Sequence, residues 1–394
     1  MNLNHRIVNI VFYLFFLSVG YYLSLIKGYG SDGDSHSLSR TYVDLYESGF
    51  YTPSRGYGHP TAELIIGFLS YNYGATITTF FSFLAFFLSI IFIYNAFEDN
   101  LNNGKLKLFI ILCVSNSLLF FDNINSSDFP WALLFFSLGF LLMKKENYIF
   151  CCIFFALSVG CRYNFIGFVY VAIFSHWLIN KEKINFKKFF LISTGITFAV
   201  CIVFIPINYI YGDNILWAFS ERIAQPGNGY YFKELFPRFV YKSFKLFGVY
   251  SSYIILFFLI KEVFLKKIIR HSKIFKYSVL IILINFVVFF IFPAKITYLH
   301  PAIIFIYLVL VFNIKKKYIY LIVIFNLLQW IVSYDFIKIK YRNIDICKAV
   351  HAISAKVDFQ FVQGEYYYML RDIPIKNCSN YRGYGDGLPL KYKN

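Results

Sequence analysis

The chain has 394 residues, of which 58% are hydrophobic and only 15% are charged, and its mean hydropathy is +0.58. A soluble domain of this length covers its core with charged side chains, so this composition excludes an ordinary water-soluble protein. The net charge of +17 does not indicate nucleic-acid binding, because the lysines lie in short clusters between apolar runs and not along one face.

The apolar runs predict the architecture. Runs of ~17–25 residues recur along the chain, which is the length a helix needs to cross a bilayer. We predict an all-α polytopic membrane protein with about eleven transmembrane helices in residues 1–333. The predicted spans are about 7–26, 75–97, 108–121, 131–143, 148–160, 165–179, 189–211, 244–260, 275–292, 300–312 and 318–333.

The lysine clusters predict the orientation, because inner loops of membrane proteins gather Lys and Arg. The clusters fall on alternate sides of the spans, so we place them and the N-terminus in the cytoplasm. They are Lys105/Lys107, Lys144/Lys145, Lys181 to Lys188, Lys261 to Lys276 and Lys315 to Lys317.

Two polar segments are then expected on the outer face: a loop over 27–74, and a second loop over 212–242. Within the first, 61–73 is predicted as an interfacial helix that ends at Gly74. An odd number of spans also places the tail, 334–394, outside, as a small α/β or irregular unit. Whether Cys347 and Cys378 of this tail form a disulfide stays open.

The first outer loop holds two candidate catalytic residues, Asp32 and Asp34. A carboxylate just outside the membrane can act as general base toward an acceptor hydroxyl or amine. The alternative is a simple turn, because Asp, Gly and Ser are common turn residues.

Basic and polar residues at the outer ends of the spans are candidates for binding phosphate. Arg162 lies in otherwise apolar sequence and is costly to bury unless it meets an anion, which is either a ligand or a fixed carboxylate. Arg55 and His59 instead have the alternative of contacting lipid headgroups. The further candidates, in later outer segments, are Lys295, Tyr298, His300 and Arg222.

Signatures of soluble nucleotide chemistry and of common hydrolases are absent from the sequence, including a Walker loop, HExxH and Gly-x-Ser-x-Gly. An outer active site without nucleotide needs an activated donor that the membrane delivers.

Four segments, taken in order, resemble the GT-C-type integral membrane glycosyltransferases, such as protein O-mannosyltransferases and aminoarabinose transferases of lipopolysaccharide. They are the acidic segment 31–35, the re-entry segment 54–60, the run 128–163 with its Asp-Phe-Pro and Cys-Arg-Tyr, and the segment 293–301. The resemblance implies a polyprenyl-phosphate sugar as donor. It makes Asp34 the first choice for the base and Asp32 the second, and it assigns the donor phosphate to Arg162, Arg55 and either Lys295 or Arg222.

The sequence departs from better-known members in having Asp-Gly-Asp-Ser where they have an Asp-Glu pair. This leaves the identity of the base, the stereochemical outcome and any divalent metal ion open. The expected partners are the lipid-linked donor, membrane lipids and a lipopolysaccharide, cell-envelope glycan or protein acceptor, with no nucleic acid. The expected location is a bacterial inner membrane.

Two alternative functions remain. A polymerase of O-antigen or another polysaccharide would have Arg-rich outer loops, and the acidic first loop argues against it. A lipid-linked glycan flippase or transporter would carry charged residues in the middle of its spans.

Overall fold

The structure is a computed structural model that describes residues 3–29, 33–54, 58–97, 103–212, 273–291, 296–328, 333–334 and 359–360, with isolated positions between 236 and 257. Its described part is almost wholly helical. The helices are α1 (Leu3–Lys27), α2 (Gly33–Ser48), α3 (Pro60–Asn95), α4 (Asn103–Ser115), α5 (Ser117–Asp122), α6 (Asp128–Lys144), α7 (Tyr148–Cys161), α8 (Phe165–Ile179), α9 (Phe186–Tyr211), α10 (Lys273–Ile291), α11 (His300–Asn313) and α12 (Lys316–Leu328). A 3-10 turn, Ile296–Leu299, leads into α11.

Two short strands lie near the tail. Ser333–Tyr334 pairs antiparallel with Phe359–Gln360, and Ser333 stands opposite Gln360.

Several described helices fit a bilayer. Three are long and apolar enough to cross it: Pro60–Asn95, Phe186–Tyr211 and Lys273–Phe290. Four shorter apolar stretches of helix are Ile10–Leu25 within α1, Tyr148–Cys161, Phe165–Ile179, and Thr297–Asn313, which runs from the 3-10 turn through α11. The helical membrane character is therefore as predicted, and the total of eleven spans stays a prediction.

Helix α3 contains the break that the sequence predicts at Gly74, whose φ of 80° and ψ of −176° are not helical. The helix has 36 residues. At ~1.5 Å per residue it is far longer than the ~30 Å hydrocarbon core. The whole of α3 is therefore longer than one crossing requires, and the interfacial position of 61–73 stays a prediction.

Helix α2 was not predicted, because the sequence suggested a turn and a polar loop there. It packs on the first part of α3, where the rings of Tyr46 and Tyr71 lie 4.9 Å apart. Its buried positions follow helical spacing but are mostly small and polar: Ser35, Leu38 and Ser39. A hydrophobic pattern could not reveal this face.

Helix α6 lies at the centre of the apolar core and contacts α3, α7 and α8. The ring of Phe136 lies 5.7 Å from Phe155 on α7 and 5.9 Å from Phe165 on α8. All three side chains are fully buried. This packing fixes the ends of α6 and α7 relative to each other, which matters for the site below.

A neutral hydrogen-bond network holds the region where the predicted span 108–121 is broken into α4 and α5. Asn116 stands at the break and donates to the Tyr307 hydroxyl (3.2 Å) and to the Leu246 carbonyl (2.8 Å). Asn326 donates to the same hydroxyl (3.0 Å) and accepts from Ser251 (2.9 Å). Each amide thereby ties two distant parts of the chain together.

Replacing the central amide tests this network. We expect Asn326→Leu to lower the free energy of unfolding by about 1–3 kcal/mol, because Ser251 and Tyr307 lose a buried partner. The control is Asn72→Leu, since Asn72 donates an exposed hydrogen bond to the Phe68 carbonyl of its own helix and so joins no distant parts of the chain among the described residues. Unfolding in mixed micelles measures both. Equal effects of the two substitutions would show that the network adds nothing.

Candidate functional site

A cluster of polar side chains lies at one end of the helices, where three connections meet. Asp128 begins α6, Arg162 directly follows α7, and His300 begins α11. Asp122 is the last residue of α5, and Asn123 directly follows it. We call this group, together with Tyr298, the outer cluster, after the face on which these residues are expected from the sequence.

The strongest contact in the outer cluster is an ion pair. Nη1 of Arg162 lies 2.6 Å from Oδ1 of Asp128, and the two side chains are only 6% and 3% exposed. The chain leaves α7 at Arg162 in an extended conformation, with φ −158° and ψ 117°. Asp128 is in the first turn of α6, where the helix dipole favours a negative charge. Of the two anions expected for Arg162, the structure contains the fixed carboxylate.

Aromatic rings surround the guanidinium. Its Cζ lies 4.8 Å from the centre of the Tyr298 ring and 5.6 Å from that of Phe129. Such stacking stabilises a cation and restricts the plane of the guanidinium. Arg162 is therefore held from three sides.

The second oxygen of Asp128, Oδ2, is buried and has no hydrogen-bond partner among the described residues. A buried acceptor of this kind is uncommon and asks for an explanation such as a ligand or water. The carboxylate can thus pair with Arg162 through Oδ1, and its Oδ2 can accept a hydrogen bond from another group.

His300 forms a second polar contact near Phe129, whose ring lies 5.2 Å from the imidazole. Its Nδ1 lies 3.1 Å from the amide nitrogen of Asn123. An amide nitrogen only donates, so Nδ1 accepts and a neutral ring carries its proton on Nε2. Nε2 lies 3.6 Å from Oδ2 of Asp122, which is longer than a direct hydrogen bond.

The re-entry segment is fixed by the buried carboxylate of Glu63. Glu63 accepts hydrogen bonds from the Ser54 backbone N–H (2.8 Å), from the Ser54 hydroxyl (2.5 Å) and from the Tyr51 hydroxyl. Burial, and then the charge of Glu63, raise the pKa of Tyr51 well above its usual value, so this hydroxyl stays a donor. Tyr211 of α9 donates to the Tyr51 carbonyl (2.6 Å).

His59 lies at the same end of the bundle. Its ring centre is 5.7 Å from that of Tyr163, the residue after Arg162. Gly160 permits this approach, because a Cβ there would collide with the hydroxyl of Thr61 and with Val203. The re-entry segment and the end of α7 are therefore in contact.

The structure describes four of the predicted site residues with their side chains. Arg162, Tyr298 and His300 lie together, and His59 lies beside Tyr163. Asp34 lies in the first turn of α2, but its side chain is not described. The others lie outside the described residues: Asp32, Arg55, Lys295 and Arg222.

Sequence reasoning missed Asp128 as a site residue, although it noted the Asp-Phe-Pro motif. It also missed Asp122 and Asn123. The signal was present, since both carboxylates lie in the short segment 122–130 between two apolar runs.

The described part of the chain contains no group of three or more His, Cys, Asp or Glu side chains that could hold a metal ion. The cysteines at positions 113, 151, 152, 161 and 201 are free thiols, and Cys347 and Cys378 lie outside the described residues.

Comparison with protein-family models, with curated proteins and with solved structures gave no match. The assignment of chemistry therefore depends on the residues of the site itself.

A double-mutant cycle tests the buried pair. Arg162→Ala and Asp128→Ala should each cost about 3–5 kcal/mol of stability, because each leaves an unpaired buried charge. The double variant should be more stable than additivity predicts by at least about 1.5 kcal/mol.

The matched control is the exposed pair Arg40 and Asp44, whose side chains are 66% and 31% exposed at a separation of 3.4 Å. Its coupling energy should be below about 1 kcal/mol. Additive effects at Arg162 and Asp128 in the same unfolding assay would contradict the buried ion pair.

Proposed function

We propose that this chain is an integral membrane glycosyltransferase. It moves a sugar from a polyprenyl-phosphate carrier to an acceptor on the outer face of a bacterial inner membrane. The observation that carries the proposal is the outer cluster: a buried Arg162–Asp128 pair beside Tyr298 and His300, at one end of apolar helices.

The location of the cation fits a lipid-linked donor. A polyprenyl chain stays in the membrane, so its phosphate meets the protein at the ends of the helices. A guanidinium in surroundings of low dielectric binds such a phosphate more strongly than one in water. Three of the four segments that resemble GT-C enzymes supply residues that meet here: His59, Asp128 with Arg162, and Tyr298 with His300.

The proposed reaction is a single displacement or its two-step equivalent at the anomeric carbon. The acceptor oxygen forms a bond to that carbon, and the bond from the carbon to the phosphate oxygen breaks. The electron pair stays on the polyprenyl phosphate, and the acceptor proton passes to Asp34. Arg162 stabilises the charge that develops on the leaving phosphate.

Asp128 has a separate role in this proposal. Its Oδ1 holds Arg162 in place, and its Oδ2 is an acceptor for a hydroxyl of the sugar or of the acceptor. Since Oδ1 of Asp128 is already paired with Arg162, Asp34 remains the first choice for removing the proton.

The distribution of charge favours a transferase over a transporter. In the described apolar helices, charged side chains lie near the ends, at positions such as Glu63, Asp128 and Lys144. The network of Asn116, Tyr307 and Asn326 that lies within the helices is neutral. Transporters instead tend to carry ionisable residues near the middle of the membrane.

Substitution in the full-length purified protein tests the assigned base. With a polyprenyl-phosphate sugar as donor, Asp34→Asn should lower the transfer rate ~10²-fold or more, because the amide cannot take up the acceptor proton. Asp44→Asn makes the same change in the same helix and should leave the rate near that of the wild type. Undiminished transfer by Asp34→Asn would refute its role.

The same assay tests Arg162. Arg162→Lys keeps the charge but loses the planar fork of donors, and it should lower the rate ~10-fold or more.

The length of glycan chains in a strain that lacks the gene distinguishes a transferase from a polymerase. Loss of polymer would indicate a polymerase, and loss of one decoration would indicate a transferase.

A further inference from the structure

A second polar cluster lies at the opposite end of the helices, outside the proposed active site. It contains His176 near the end of α8, Asn180 just after that helix, Tyr277 in the second turn of α10 and Lys144 at the end of α6. His176 is 5% exposed and Tyr277 is fully buried. Since Asp128 begins α6 and Lys144 ends it, the two clusters are about 24 Å apart along that helix.

The hydrogen bonds determine where the proton of a neutral His176 resides. The amide nitrogen of Asn180 lies 3.1 Å from the Tyr277 hydroxyl and 3.2 Å from Nδ1 of His176, and it is a donor in both contacts. The Tyr277 hydroxyl lies 2.7 Å from the same Nδ1. A proton on Nδ1 would face the N–H of Asn180, whereas an unprotonated Nδ1 can accept from the Tyr277 hydroxyl. The ring therefore accepts at Nδ1 and carries its proton on Nε2.

This Nε2–H is a buried donor for which no described residue provides an acceptor. A buried donor without a partner costs stability, so such groups normally meet water or a ligand. The missing group must offer an acceptor oxygen.

The charges around His176 specify the sign of that group. Lys144 lies with its Nζ 4.7 Å from the centre of the Tyr277 ring and 5.5 Å from that of Phe97. Lys188 and Lys273 are near enough for their charges to act on His176. The basic side chains on these helix ends and turns are Lys144, Lys145, Lys181, Lys183, Lys187, Lys188, Lys273 and Lys276, against Glu146 and Glu182. An anion is therefore favoured over water.

The surface beside this cluster is apolar. Phe174 and Leu178 of α8 are 42% and 40% exposed, and Leu283 of α10 is 55% exposed. Acyl chains would cover these side chains in a membrane. A phosphate attached to acyl chains thus matches both the basic and the apolar part of the surface, whereas a free phosphate matches only the first.

We propose that the ends of α6, α8 and α10 bind the phosphate headgroup of an anionic phospholipid. His176 donates its Nε2–H to a headgroup oxygen, and Lys144 contributes the nearest positive charge. Basic pockets between membrane helices are a known mode of binding for such headgroups. This site is separate from the outer cluster and does not depend on the proposed transfer reaction.

Lipid binding by the full-length protein in nanodiscs tests the proposal. Nanodiscs of phosphatidylcholine with increasing phosphatidylglycerol are compared, and bound lipid is measured by native mass spectrometry after release into detergent. The wild type should retain phosphatidylglycerol saturably. His176→Phe keeps an aromatic ring without the N–H and should weaken retention ~10-fold, as should Lys144→Gln. Lys183→Gln removes an equal charge at an exposed position and should change retention less than about twofold.

Each outcome decides the proposal. If His176→Phe retained the lipid as the wild type does, the proposal would be overturned. An equal loss of retention for Lys144→Gln and Lys183→Gln would also overturn it, because it would show only a general attraction between lysines and anionic lipid. If millimolar inorganic phosphate displaced the lipid, the site would be assigned to a free anion and the assignment to a phospholipid would be wrong. If His176→Phe fails to fold, the contrast between Lys144→Gln and Lys183→Gln decides.

Discussion

A guanidinium among apolar helices is stable only beside an anion, and the contact of Arg162 with Asp128 meets this requirement. The pair joins the start of α6 to the end of α7, two helices that also share the Phe136–Phe155 contact. Loss of either charge would leave the other buried and uncompensated. The proposed phosphate-binding group is therefore also a structural element, and the bundle fixes its position before any substrate arrives.

Polar side chains lie in three regions of the bundle, and each region stabilises them by a different kind of contact. The outer cluster uses an ion pair, and the layer around Asn116 and Asn326 uses neutral amides that bond to one another. At the opposite end, lysines lie over aromatic rings, as Lys188 does at 4.5 Å from Tyr148. The aromatic content of 22% is thus in part a means of holding charge at helix ends.

The sequence predicted helices well where apolar length and chain breaks define them. Tyr148–Cys161 and Phe165–Ile179 match the predicted spans within one residue, and Gly74 breaks α3 as expected. It failed for α2, because Ser and Thr form much of the buried face there. The sequence also predicted a single helix over 108–121, whereas the structure has α4 and α5 separated at Asn116. The break could not be seen because apolar residues continue on both sides of it.

The candidate site was predictable in its residue types but not in its pairings. An arginine in an apolar run signals a need for an anion. Which anion it meets depends on the tertiary arrangement, because Arg162 and Asp128 are 34 positions apart in the sequence. The partner of His300 is still more distant, since Asn123 lies 177 positions away.

Among the described residues, the outer cluster contains three buried polar atoms without a hydrogen-bond partner. Two are acceptors, Oδ2 of Asp128 and Oδ1 of Asn123, and one is a donor, Nε2–H of His300, which lies 3.6 Å from Oδ2 of Asp122. An apolar ligand would satisfy none of these atoms, a simple cation would satisfy only the acceptors and a simple anion only the donor. A hydroxyl both donates and accepts, so a hydroxyl-rich ligand such as a sugar suits both kinds of atom without importing a further charge into the apolar interior.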